Sequence, residues 1–87
     1  MDYVDAMRGF VATAHAGTMS AAARQLDISV ALVSKRIARL EAHLGTRLFH
    51  RTTRRLTVSD PGSEYLERAR RILVEIDDAE RAGWHAE

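Results

Sequence analysis

Eighty-seven residues, 46% hydrophobic and 29% charged, make one small globular domain whose single core hides about 60–65% of the unfolded surface. The absence of cysteine excludes a disulfide scaffold, a thiolate zinc site and a thiol nucleophile. No apolar run approaches the roughly 20 residues of a membrane span, and no basic stretch followed by an apolar one marks a signal peptide, so a cytoplasmic protein without a membrane partner is expected. Net charge is only +1, but it is unevenly spread: seven Lys and Arg side chains between Lys35 and Arg55 face Glu41 alone, while Ile72–Glu87 holds five acids and Arg81. A basic centre with an acidic tail points to a localised surface for a polyanion.

Asp2 can cap a first helix whose apolar face is Val4, Met7, Phe10, Val11 and Ala14, with Gly17 as its stop. Gly9 weakens that helix by about 1 kcal/mol relative to Ala unless it admits a close neighbour. Ser20 reads as the next N-cap, followed by a short, Ala-rich helix over Ala21–Leu26. Asp27 and Ile28 form a tight turn, and Ser29 caps a third helix with Val33, Ile37, Leu40 and Leu44 on one face. Its other faces carry Ser34, Lys35, Arg36, Ala38, Arg39 and Glu41, and Gly45 ends it.

The period then changes. Leu48–Arg51 and Arg55–Val58 are β-prone segments flanking Thr52-Thr53-Arg54, a two-stranded ribbon with a basic tip. A lone hairpin is marginal in water, so Phe49, Leu56 and Val58 are expected to anchor it on the helices. Ser59 caps a last helix, with Asp60 and Pro61 suited to its first turn. Leu66, Ala69, Leu73 and Ile76 repeat at helical spacing along it, with Tyr65 and Ile72 beside them. Running from Asp60 to about Ala82, this helix would span roughly 35 Å. That exceeds the body of a three-helix domain, so its far half is expected to seek a partner.

Short helix, tight turn, basic helix and basic ribbon together describe a winged helix-turn-helix, a mainly α fold of three helices and a two-stranded wing. In such a unit the second helix enters the major groove of duplex DNA. Val30, Ala31, Ser34 and Lys35 occupy its exposed start. Ser34 can exchange hydrogen bonds, Lys35 can reach guanine acceptors or a phosphate, and Arg36 and Arg39 suit backbone charge. Arg54 at the ribbon tip suits the minor groove or a phosphate.

Three segments carry a resemblance to a known family: Ser20-Ala-Ala-Ala-Arg-Gln-Leu26, Ser34-Lys-Arg-Ile-Ala-Arg-Leu-Glu41, and Leu44-Gly-Thr-Arg-Leu-Phe-His-Arg-Thr-Thr-Arg-Arg-Leu56. They resemble the N-terminal domain of LysR-type transcriptional regulators over essentially the whole chain. The resemblance implies a DNA-binding domain over residues 1–58 and a linker helix over 59–87. That helix would pair antiparallel with a second copy through Tyr65, Leu66, Ala69, Ile72, Leu73 and Ile76. It implies a homodimer on an inverted-repeat operator, with tetramer formation by the full-length protein left open. It also implies a C-terminal effector domain for a small-molecule inducer, absent from these 87 residues, and no cofactor in the part at hand. Residue by residue, Ser29 would hold a phosphate, Ser34 and Lys35 would meet bases or adjacent phosphates, and Arg51, Thr53 and Arg54 would supply the wing. Val30 departs from the family's frequent Gln. Valine cannot make the bidentate contact to adenine but can touch a thymine methyl. Ala31 stands where Pro or Ser is frequent, Met19 where an aromatic is common, and Val58-Ser59 replaces Leu-Thr.

Blander readings stand beside these. Lys35, Arg36 and Arg39 could form a solvated face, Arg54 and Arg55 could guard a ribbon edge, and the stripe from Leu66 to Ile76 could pack within the monomer. A winged helix can also serve as a protein-docking module without DNA. Trp84 follows the last helix, with no role assigned. The four histidines lack metal-ligand spacing, and no nucleophile elbow or glycine-rich phosphate loop accompanies the Ser, His and Asp residues. An enzyme is not expected.

Overall fold

The computed structural model describes residues 2–52 and 56–82. Four helices, α1 (Tyr3–Ala16), α2 (Met19–Leu26), α3 (Val30–Leu44) and α4 (Asp60–Arg81), surround strands β1 (Phe49–Arg51) and β2 (Leu56–Val58). The strands pair antiparallel, with Phe49 opposite Val58 and Arg51 opposite Leu56. This is the winged helix-turn-helix with an added long helix that the sequence pattern predicts. None of the described helices is long and apolar enough to cross a membrane.

Each helix starts on a side-chain cap, which satisfies backbone N–H groups left without partners in the first turn. Asp2 accepts from the Asp5 N–H at 3.1 Å, Ser29 from Leu32 at 3.0 Å and Ser59 from Gly62 at 3.0 Å. The second helix corrects the expectation: Thr18, not Ser20, is the cap, accepting from Ala21 at 3.1 Å. The helix therefore begins at Met19, and Ser20 sits exposed in its first turn. Both residues could cap, but Gly17, with φ of 85°, turns the chain early enough for Thr18 to be the extended one. The α2–α3 turn runs through Asp27, as the sequence predicts, with a left-handed φ of 58° that Asp tolerates.

The main core joins Ala6 and Phe10 of α1, Ala23 of α2, Val33, Ile37 and Leu40 of α3, and Leu48 and Phe49 at the wing's entrance. Phe10 and Phe49 meet edge-on, their centroids 5.3 Å apart, an arrangement favoured by the ring quadrupoles. Phe49 anchors the ribbon as expected, but Leu56 and Val58 are only half-buried, and Leu48 is the fully buried second anchor. A smaller cluster places Met7 of α1 against Ala69 and Leu73 of α4, with Tyr65 and Ile76 packed on it.

That second cluster divides the stripe expected to serve a second copy. Ala69 and Leu73 are 0% and 7% exposed against the subunit's own α1. The Tyr65 hydroxyl donates to the Tyr3 hydroxyl at 3.1 Å, and burial first, then that bond, pushes the Tyr65 phenol above its ordinary pKa. Leu66 and Ile76 are half-buried, whereas Ile72 and Val74 stand 46% and 57% exposed. The physical reason is that α4 lies along α1 rather than leaving the body at its first turn. An Arg8–Asp77 ion pair at 3.1 Å ties the two helices well down their length.

Candidate nucleic-acid interface

The third helix has two sides set by its 3.6-residue turn. Val33, Ile37, Leu40 and Glu41 face inward, while Ala31, Lys35, Ala38, Arg39 and Ala42 are exposed on the opposite side. Val30 is 44% exposed at the helix start and Ser34 is half-buried at the edge. Three of the expected contact residues, Ala31, Lys35 and Arg39, therefore belong to one uncovered surface, with Ser34 at its edge and Val30 reaching solvent in the first turn of the helix. Ser29 lies at its head. Its oxygen accepts the Leu32 N–H at 3.0 Å, leaving the hydroxyl proton for an outside acceptor. The unpaired amides and dipole of the helix start add partial positive charge at this end.

Arg36 lies elsewhere. Its five-residue separation from Glu41 puts the two about 140° apart around the axis. Its guanidinium is 3.9 Å from Asp5 on α1. An exposed pair of that length is weak, but it draws Arg36 toward α1 and away from the wing. On the other flank Arg51 lines a shallow groove with Gly17, Thr18, Met19, Thr52, Leu56 and Thr57. The expected wing-tip residues Thr53 and Arg54, like Trp84 beyond α4, lie outside the described residues.

Sequence reading placed Glu41 on the surface; the structure buries it to 7% exposure. Its Oε2 accepts the N–H groups of Leu48 at 2.8 Å and Phe49 at 3.3 Å. Its Oε1 lies 3.5 Å from Arg51, and Arg47 approaches Oε2 to 3.9 Å. As a polar residue next to Leu40 on a helix, it gave no sign of burial; only the returning wing covers it. Arg24, also unassigned from sequence, is exposed beside the helix-turn-helix turn and shares a groove with Ser20, Asp27, Ser29 and Val30. Gly62 was missed too. A Cβ there would collide with the Leu48 carbonyl oxygen, because α4 starts directly against the wing's entrance. Among the described residues, no group of His, Cys, Asp and Glu could hold a metal ion.

With this geometry in place, a profile of bacterial regulatory helix-turn-helix proteins of the lysR family matches residues 4–63. The chain belongs to the LysR family. An HTH-type transcriptional repressor of Pseudomonas aeruginosa is 42% identical to it over 80 residues, covering 92% of this chain and 25% of the repressor. The solved complex of the CbnR DNA-binding domain with DNA superposes with a TM-score of 0.81 at 36% identity, covering 94% of this chain and 97% of that one. The BenM DNA-binding domain on catB site 1 DNA gives a TM-score of 0.84 at 28% identity, covering 91% and 87%. This LysR-family chain spans about a quarter of the length of the curated relatives it matches.

Proposed function

We propose that this LysR-family domain binds double-stranded DNA sequence-specifically as a homodimer and acts in transcription regulation in the cytoplasm. One observation carries the reading: the outer side of α3, with Ala31, Lys35 and Arg39, is left uncovered by its own protein while Arg51 stands on the adjoining wing flank. A helix fits the roughly 12 Å major groove, so α3 would read bases through Val30, Ala31, Ser34 and Lys35. Arg39 and Ser29 would hold phosphates, Arg36 would add charge from the α1 side, and Arg51, Thr53 and Arg54 would follow the neighbouring minor groove. The two similar domains described as DNA complexes support this docking. A protein-docking module would expose aromatic or aliphatic anchors there; the large apolar side chain exposed on α3 is a single Val30.

The second copy would lie along α4, on the flank formed by the exposed Ile72 and the half-buried Ile76. Two-fold symmetry then requires an inverted repeat in the DNA. The domain needs no cofactor for this, and any small-molecule inducer would act through an effector domain outside these residues. Selection of bound duplexes from a random pool tests binding, symmetry and half-site spacing together, and an inverted repeat is expected. Log affinity should fall with log salt by about 0.9 per neutralised phosphate, and Lys35→Ala should weaken binding without unfolding the domain. A salt-independent affinity, or a pool that yields no common sequence, would refute the proposal.

A further inference from the structure

A buried carboxylate is a costly thing to keep beside a surface meant for a polyanion, even with Arg47 and Arg51 near it. Its charge opposes the approach of phosphates, and its burial forfeits hydration. Glu41 must therefore do something that a neutral apolar residue could not. Its contacts say what. One oxygen gathers the consecutive N–H groups of Leu48 and Phe49, where the chain enters β1. The other faces the Arg51 guanidinium at the far end of the same strand. One side chain of α3 thus holds both ends of β1. Arg51 has five N–H donors, and those not turned to Glu41 are available to the groove it lines between the wing and the α1–α2 turn.

We propose that Glu41 is a positioning residue for DNA binding: it locks the wing to the recognition helix and orients Arg51 toward the phosphate backbone, so that helix and wing meet the duplex as one rigid body. This rests on the DNA-binding reading above and adds a role that no cationic or base-facing residue fills. Preorganisation is its physical content, since an arginine already held in its bound orientation loses less conformational freedom on contact.

The sign of one substitution separates this from simple electrostatics. Glu41→Gln keeps an oxygen for the Leu48 N–H and removes a negative charge, which by charge alone must tighten binding to DNA. Positioning demands the opposite, a loss of about three- to tenfold. The assay is fluorescence anisotropy of a fluorescein-labelled duplex of arbitrary sequence at low salt, with circular dichroism to establish that each variant is folded. The same substitution in an Arg51→Ala background should cost less than about twofold, because the group it orients is gone. Where Glu41→Gln does not fold, Glu41→Asp, which keeps the charge but withdraws it by one methylene, is read by the same criteria. A folded variant that binds as tightly as wild type or tighter overturns the proposal. So does an equal loss in the Arg51→Ala background, which would mark a purely structural role. Failure of the wild-type chain itself to bind the duplex would instead overturn the DNA-binding reading.

Discussion

Two glycines inside helices are expected to respond to the same substitution with opposite signs. Intrinsic propensity alone makes Gly→Ala favourable by about 1 kcal/mol within a helix. At Gly9, mid-way along α1, a Cβ would meet nothing within 4 Å. Close helix approach is therefore not the reason for glycine there, and Gly9→Ala should add about 1 kcal/mol. At Gly62 a Cβ would run into the Leu48 carbonyl oxygen, which is backbone and cannot rotate aside. Relief requires sliding the start of α4 off the wing's entrance. That movement puts at risk the Ser59 hydroxyl's bond to the Arg47 carbonyl at 2.6 Å and the Ser59 N–H bond to the Leu48 carbonyl at 2.9 Å. Overpacking costs about 1–3 kcal/mol and each weakened hydrogen bond about 0.5–1.5 kcal/mol. Set against the propensity gain, Gly62→Ala should lose about 1–5 kcal/mol, centred on about 3 kcal/mol. For a domain this size 1 kcal/mol moves the melting point by about 4–8 °C. Gly9→Ala should thus melt several degrees above wild type and Gly62→Ala roughly 10–25 °C below it. Circular dichroism melts at one fixed protein concentration, needed because any self-association shifts Tm, measure both. A Gly62→Ala domain melting at or above wild type would refute the packing argument.

Two further perturbations test α4 and the first cap. Leu73→Glu would bury a charge against Met7 and Ala69 and should unfold the domain at a cost of at least about 3 kcal/mol; Ile72→Glu, at an exposed site, should keep the helical spectrum while sedimentation shifts toward monomer. If instead Val74→Glu dissociates the proposed dimer and Ile72→Glu does not, the partner lies on the other flank of α4, since a two-residue step turns about 160° around the axis. The Asp2 carboxyl is held below its ordinary value of 3.8, foremost by the Asp5 N–H it caps. A depressed folded-state pKa means that the cap's contribution is complete above 3.8 and fades as pH falls through the lower folded value. The difference in unfolding free energy between wild type and Asp2→Asn, whose cap does not titrate, should therefore be constant above about pH 5 and change only in acid. Parallel curves down to pH 2 would show that the ionised cap contributes nothing.

Much of the fold was legible because its signals are local. Asp2, Ser29 and Ser59 cap their helices through an N–H three residues ahead, and Gly17 and Gly45 end theirs at φ of 85° and 71°. Such contacts depend on no distant residue. The apolar periods of α1 and α3, the switch to a ribbon and the uncovered placement of Ala31, Lys35 and Arg39 follow from the same short-range order. At the second helix the local pattern pointed to Ser20, whereas Thr18 is the cap, because the turn at Gly17 leaves Thr18 as the extended residue.

What tertiary structure decided is which polar groups lie inside and which apolar ones lie outside. Glu41 reads as surface until β1 folds back over it. Arg36 reads as one more outward cation until α1 brings Asp5 within 3.9 Å of it. Ala69 and Leu73 read as a dimer face until α1 covers them, and Gly62 carries no signal until the Leu48 carbonyl arrives. In each case the partner is an element remote in the chain, so the burial that fixes a residue's role exists only once the elements have packed.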